Sequence, residues 1–173
     1  MKKYITYILI TTALTIFTAV PVRAENISLG SATINKEVES GGYDYRVANL
    51  KNFFAKYNSP LIDYAESFVA YADSNGLDYR LVPAITGVES TFGKRIPVDS
   101  YNAYGWANGE YHFTSWESSI AHVSEVLKTS YIDKGAPTIA KIAKRYAPPS
   151  LTWGTNVNFF IDKIDTLPLS FDI

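Results

Sequence analysis

Leu81-Val82-Pro83-Ala84-Ile85-Thr86-Gly87-Val88-Glu89-Ser90-Thr91-Phe92-Gly93 is the stretch on which the reading of this chain turns. Leu81, Val82, Ile85 and Val88 recur at the three- and four-residue intervals of a helix, Asp78 stands where a capping side chain is needed, and Gly93 supplies a stop. Glu89 falls one residue past that stripe, at the end of a helix whose other residues are almost wholly apolar. A carboxyl group placed there loses hydration, which disfavours its charged form and raises its pKa in the direction that protonation of a glycosidic oxygen requires. Position alone leaves a second reading open, that of a solvated or ion-paired glutamate near a helix terminus.

Upstream, Val47, Leu50, Phe53, Phe54 and Tyr57 predict a helix from about Arg46 that Asn58-Ser59-Pro60 stops. Leu61 to Asn75 repeats the pattern through Ile62, Ala65, Phe68, Val69 and Ala72, and Gly76 closes it. Downstream, from Lys94 to Thr114, Pro, Asp, Asn and Gly are interspersed with aromatics. Ala107-Asn108-Gly109-Glu110 resembles a hairpin turn between Tyr104-Gly105-Trp106 and Tyr111-His112-Phe113, so a small β-lobe is expected. Ser115 caps a helix to about Ser130, Pro137-Thr138 opens one through Tyr146, and Thr152 to about Thr166 makes the last. The expected fold is mainly α, a helical domain over residues 46–167 with a small β-hairpin lobe and a tail at 168–173.

The first 24 residues read as an address. Lys2 and Lys3 precede an uncharged, mostly apolar stretch from Tyr4 to Val20, and Val22-Arg23-Ala24 offers a small-residue cleavage site. The rival is an uncleaved anchor, but the stretch falls short of the ~20 residues of a spanning helix and is interrupted by threonines. Residues 25–45 are polar, contain Gly41-Gly42 and lack an apolar period, as a flexible linker would. Export to the cell envelope or beyond is therefore expected.

Composition narrows the chemistry. The chain of 173 residues has no cysteine, which removes disulfides, a thiol nucleophile and a lipid-modified cysteine together. Its formal net charge is −1, and loss of Lys2, Lys3 and Arg23 makes the remainder more acidic. That is a poor match to nucleic acid, whose phosphates demand a concentrated basic surface. Aromatic residues make up 14%, including 13 tyrosines and three tryptophans, more than one core of this size uses. Sugar chains, held by stacking and hydrogen bonds, suit such a surface. His112 and His122 are the only histidines and have no second ligand at metal spacing, so neither metal nor cofactor is expected. No serine lies in a Gly-x-Ser-x-Gly elbow.

Four segments in register carry a resemblance. They are Glu89-Ser90-Thr91-Phe92-Gly93-Lys94, Tyr101-Asn102-Ala103-Tyr104-Gly105-Trp106, Phe113-Thr114-Ser115-Trp116-Glu117-Ser118-Ser119-Ile120, and Tyr146-Ala147 followed by the Trp153 to Ile164 helix. Over roughly Leu81 to Ile164 the chain resembles bacterial cell-wall N-acetylglucosaminidases of the autolysin and flagellar-rod type, which group with lytic transglycosylases in the lysozyme-like superfamily. The resemblance implies a monomeric lysozyme-like domain acting on peptidoglycan or a related N-acetylglucosamine-containing glycan. It implies that Glu89 is the catalytic acid, that Ser90, Asn102, Tyr104, Gly105 and Trp106 bind substrate along one wall of a groove, and that Tyr146 reaches in from the opposite side. The chain departs from the pattern at Pro148-Pro149, where Asp and Pro commonly follow Tyr-Ala.

Hydrolysis needs a second group to activate water or to stabilise an oxocarbenium-like transition state. Glu110, in the expected hairpin, is the first candidate, with an ordinary exposed turn residue as its alternative. Glu117 in the first turn of the Ser115 helix suits the helix dipole and a structural role, and Asp99 is a loop residue with no stronger claim. Non-hydrolytic cleavage that closes an anhydro ring needs Glu89 alone, and a non-catalytic glycan-binding module would need neither acid. Trp116 and Trp153, each opening a helix with an apolar side, are expected to be buried, and Trp106 and Tyr104 to be partly exposed.

Overall fold

The computed structural model describes residues 44–164; the expected signal peptide, nearly all of the expected linker and the tail lie outside them. Six α-helices follow in chain order: α1 (Tyr45–Lys56), α2 (Ala65–Asn75), α3 (Leu81–Ser90), α4 (Trp116–Val126), α5 (Ile139–Tyr146) and α6 (Trp153–Ile164). The fold is mainly α. No described helix is long and apolar enough to cross a membrane.

Each helix starts and stops for local reasons. Asp44 caps α1 by accepting from the Arg46 N–H at 2.9 Å, so the helix begins at Tyr45, inside the stretch read as linker. The Arg46 guanidinium bridges Asp44 and Asp73, both at 2.7 Å, and ties the start of α1 to the end of α2. The Leu61 to Asn75 segment begins as a 3-10 turn over Ile62–Tyr64 before becoming α2. Gly76 takes a left-handed φ of 59°, letting Leu77 N–H reach back to the Ala72 carbonyl at 2.9 Å. Ser115 and Ser118 exchange side-chain and backbone hydrogen bonds in a capping box at the start of α4. That helix continues as a wider turn over Leu127–Ile132.

α3 is the central element, with every residue from Leu81 to Gly87 buried. It packs most extensively on α6 and also meets α2 and α4. Its end departs from expectation, because the helix stops at Ser90 and Thr91, Phe92 and Gly93 all take left-handed φ, 53°, 58° and 77°. The cause is Phe92. Its N–H returns to the Thr86 carbonyl at 2.9 Å and its ring enters the core, 5.2 Å from Phe53, 4.3 Å from Tyr57 and 5.0 Å from Phe160 between centroids. Gly87 makes the room: a Cβ there would lie 2.5 Å from Phe92 Cε1.

The expected β-hairpin lobe is absent; the described residues contain no strand. Trp106–Gly109 instead forms a tight 3-10 turn in which Ala107 and Asn108 adopt left-handed φ of 50° and 56°. The physical reason is Asn102. Its side-chain amide donates to the carbonyls of Trp106 and Tyr111 at 2.9 and 3.0 Å, and its Oδ1 accepts from the Trp106 N–H at 3.0 Å. One buried side chain thus takes the backbone groups that a ladder would have paired.

Gly87→Ala should destabilise the fold by roughly 1–3 kcal/mol through overpacking against Phe92. Urea unfolding followed by circular dichroism measures it; an unchanged midpoint would mean that Phe92 has another place to go.

Candidate active site

Glu89 stands one residue before the end of α3, and Ser90 fixes what lies opposite it. The Ser90 hydroxyl is within hydrogen-bonding distance of the Thr86 and Ala103 carbonyls, 3.0 and 2.9 Å, and accepts from the Gly93 N–H at 2.9 Å. This clamps the 100–106 loop to the end of the helix. Gly105 then arrives against the acid so closely that a Cβ on it would lie 2.8 Å from Glu89 Oε2, and its φ of +67° independently favours glycine.

The other carboxylate oxygen is also held. Trp153, at the start of α6, donates its indole N–H to Glu89 Oε1 at 2.6 Å. Behind the indole, the Tyr146 ring stacks on Trp153 with centroids 4.9 Å apart and planes 26° apart. The Tyr146 hydroxyl donates to the Tyr104 carbonyl at 2.7 Å, so α5 is joined to the same loop. Gly105, Trp106, Ala107 and Asn108 from the loop, with Tyr131 and Tyr146, line a cleft of about 230 Å³.

Burial pushes the Glu89 carboxyl above its ordinary value, and the Trp153 hydrogen bond opposes that only in part. No neighbouring carboxylate contributes to the displacement among the described residues. Tyr146 is driven well above the usual phenol range, first by burial and then by the negative charge of Glu89. A half-buried carboxyl raised by desolvation, with one oxygen tethered and the other beside a glycine at the edge of a cleft, is equipped to hold and donate a proton.

The residues singled out from the sequence divide into groups. Gly105, Trp106 and Tyr146 line the cleft, with Trp106 half-buried and 6.2 Å from the Tyr146 ring, and Glu89 adjoins it through Gly105 without being one of the lining residues. Ser90 and Asn102 are buried and committed to backbone groups, so they shape the loop that carries the wall. Tyr104 is fully buried, contrary to the expected partial exposure, because its ring faces Phe113 and its hydroxyl lies 3.5 Å from Ser119 Oγ; it contributes its carbonyl. Trp153 is buried as expected, whereas Trp116 is only half-buried, edge-on to Tyr101 at 5.4 Å.

Glu110 is exposed at the end of the 3-10 turn, its N–H bonded to the Ala107 carbonyl at 3.1 Å. Asp99 is exposed on a residue of φ 54°. Glu117 accepts from Ser67 Oγ on α2 and raises the Tyr71 hydroxyl by hydrogen bonding, which joins α4 to α2. Tyr131 is not among the sequence candidates, and Trp153 enters there only as an aromatic expected to be buried, not as a partner of the acid. The one available signal for Trp153 is that a buried indole needs an acceptor for its N–H.

A larger cavity of about 490 Å³ lies between α5 and α6, lined by Lys144, Pro149, Leu151 and Asn158 among others, and no acid borders it. No group of three or more His, Cys, Asp or Glu able to hold a metal ion occurs among the described residues. A comparison with protein-family models and one with curated proteins find no match to the chain.

The raised carboxyl has a consequence for stability. Its folded pKa lies above the unfolded one, so the contribution of this group to stability is most favourable at low pH, where both states are protonated, and is lost as pH rises through the folded pKa. Glu89→Gln keeps an acceptor for the indole without a charge, so its melting temperature should exceed the wild type's by a few degrees at neutral pH. The gain should vanish below about pH 4, where the glutamate is also neutral. Melting curves from pH 3 to 8 check it; a gain that does not depend on pH contradicts the burial argument.

Proposed function

We propose that this chain is an exported enzyme that cleaves the β-1,4-linked N-acetylhexosamine strand of peptidoglycan, with Glu89 as the general acid on a lysozyme-like helical scaffold. The observation that carries the reading is the state of Glu89: a carboxyl raised by burial and hydrogen-bonded to an indole, with no cation pairing it among the described residues, against a glycine that lines an aromatic cleft. A salt-bridged Glu89 would have favoured a non-catalytic glycan-binding module. Trp106 offers a half-buried aromatic face on which the apolar side of a pyranose can stack.

In this reading Glu89 delivers its proton to the glycosidic oxygen as the C1–O bond breaks and C1 takes on oxocarbenium character. An oxygen nucleophile then closes on C1, and its proton passes to the group that acts as base: a second carboxylate in two-acid hydrolysis, the Glu89 carboxylate itself in single-acid ring closure. Hydrolysis of an N-acetylglucosaminidase type would use water activated by a second acid, for which Glu110 was the sequence candidate. One observation favours the other route, closure by the sugar's own 6-hydroxyl to an anhydro end: Glu110 is exposed at the end of its turn and does not line the cleft. Such closure is intramolecular and needs a single protein acid.

Incubation of purified protein with peptidoglycan, followed by mass spectrometry of released muropeptides, tests both levels. Glu89→Gln should lose on the order of 10²-fold or more in release with an unchanged circular dichroism spectrum. Retention of more than a tenth of the rate removes Glu89 from the chemistry. Glu110→Gln should stay within twofold of wild type and the products should carry anhydro ends; reducing ends with a large Glu110 effect would restore the hydrolytic route.

A further inference from the structure

We propose that Trp153 is a positioning residue for proton transfer, whose indole N–H holds Oε1 of Glu89 as a permanent acceptor and so assigns the mobile proton to Oε2. The proposal rests on the reading of Glu89 as the acid and specifies how that acid is aimed. A protonated carboxyl has one oxygen that carries the hydrogen and one that only accepts. An indole N–H only donates, so the oxygen it faces at 2.6 Å is the accepting one in both protonation states. The proton therefore resides on Oε2, the oxygen that lies against Gly105. Any side chain at Gly105 would press on that oxygen.

The indole is itself fixed from two sides. Its ring is stacked by Tyr146, and its backbone N–H is capped by Ser150 Oγ at 3.1 Å. Tyr146 in turn holds the carbonyl of Tyr104, the residue preceding Gly105. A closed circuit results, running from Oε1 through Trp153, Tyr146 and Tyr104 to Gly105 and back to Oε2. The acid and the loop it faces cannot shift independently.

The same bond acts during the reaction. When the proton leaves Oε2 for the glycosidic oxygen, the indole bond to Oε1 becomes charge-assisted and strengthens, offsetting part of the cost of a desolvated carboxylate. The proton of the attacking hydroxyl then returns to Oε2, and the neutral acid is restored. Trp153 neither gains nor loses a proton at any step.

Two measurements on the full chain decide it. In the ¹H–¹⁵N spectrum of the unmutated protein, the Trp153 indole resonance should move with pH at a midpoint above the ordinary glutamate value, and in Glu89→Gln it should stay constant. Trp153→Phe keeps an aromatic face for Tyr146 but lacks the donor. Its kcat on peptidoglycan should fall about tenfold or more with KM little changed, on the scale of one hydrogen bond to a charged group. Because the carboxylate has lost its stabiliser, the basic limb of its pH profile should move to higher pH.

An indole resonance indifferent to pH overturns the proposal even if Trp153→Phe does not fold. So does a Trp153→Phe enzyme with the wild-type pH profile and kcat. A wild-type protein that releases no muropeptides, or an active Glu89→Gln, overturns the functional reading instead, and the indole titration still reports whether the two residues are coupled.

Discussion

Everything near the cleft depends on how α3 ends. A helix buried along almost its whole length must stop where its last turn can still satisfy its carbonyls, and here it does so by turning Phe92 back beneath Gly87. Three successive left-handed residues are the cost of that reversal, partly offset by the Phe92 N–H to Thr86 hydrogen bond and by an aromatic cluster that reaches α1 and α6. Glu89, on the last turn, is half-buried where the residues from Leu81 to Gly87 are buried. A carboxyl in that position is partly stripped of water whether or not it has a task, so its raised pKa is a property of the fold before it is a property of a site.

The loop opposite follows from the same end. Ser90 anchors Ala103 and Gly93, and Asn102 organises the turn from Trp106 to Tyr111. Two buried polar side chains do what a small sheet would otherwise do, at lower length but with little redundancy. An apolar replacement at Asn102 would take the side-chain partner from the part-buried backbone groups of Trp106 and Tyr111. Residues that resemble ligand contacts in the sequence are therefore occupied in building the wall, and the surfaces left for a ligand are the glycine, the Trp106 ring and the tyrosines behind it.

The helices were legible because their signals are local. Apolar spacing, the Gly76 stop and the Ser115 cap each act within a few residues, and the segments they mark appear with shifts of a turn or less. The hairpin was misread for an equally physical reason. Asn108-Gly109 carries the left-handed preference of a hairpin turn, yet the same preference serves a 3-10 turn once a distant amide satisfies its backbone. Glu89 could be singled out because helix end and polarity coincide in sequence. Trp153 could not, since its polar partner lies 64 residues earlier and its spacing says only that the residue faces inward.

Tyr146 shows how position and role separate. Its hydroxyl lies in the right region, but it donates to the Tyr104 carbonyl and is held far above the usual phenol range by burial and by Glu89. A phenol in that state cannot serve as a base near neutrality, and to donate to a sugar it must first release the loop. Its ring, by contrast, is used as found, stacked on the indole that grips the acid. Tyr146 therefore acts here as a strut between α5, α6 and the loop. On the proposed function the proton chemistry would run through one carboxyl group, whose half-buried position and indole hydrogen bond come from the surrounding aromatics.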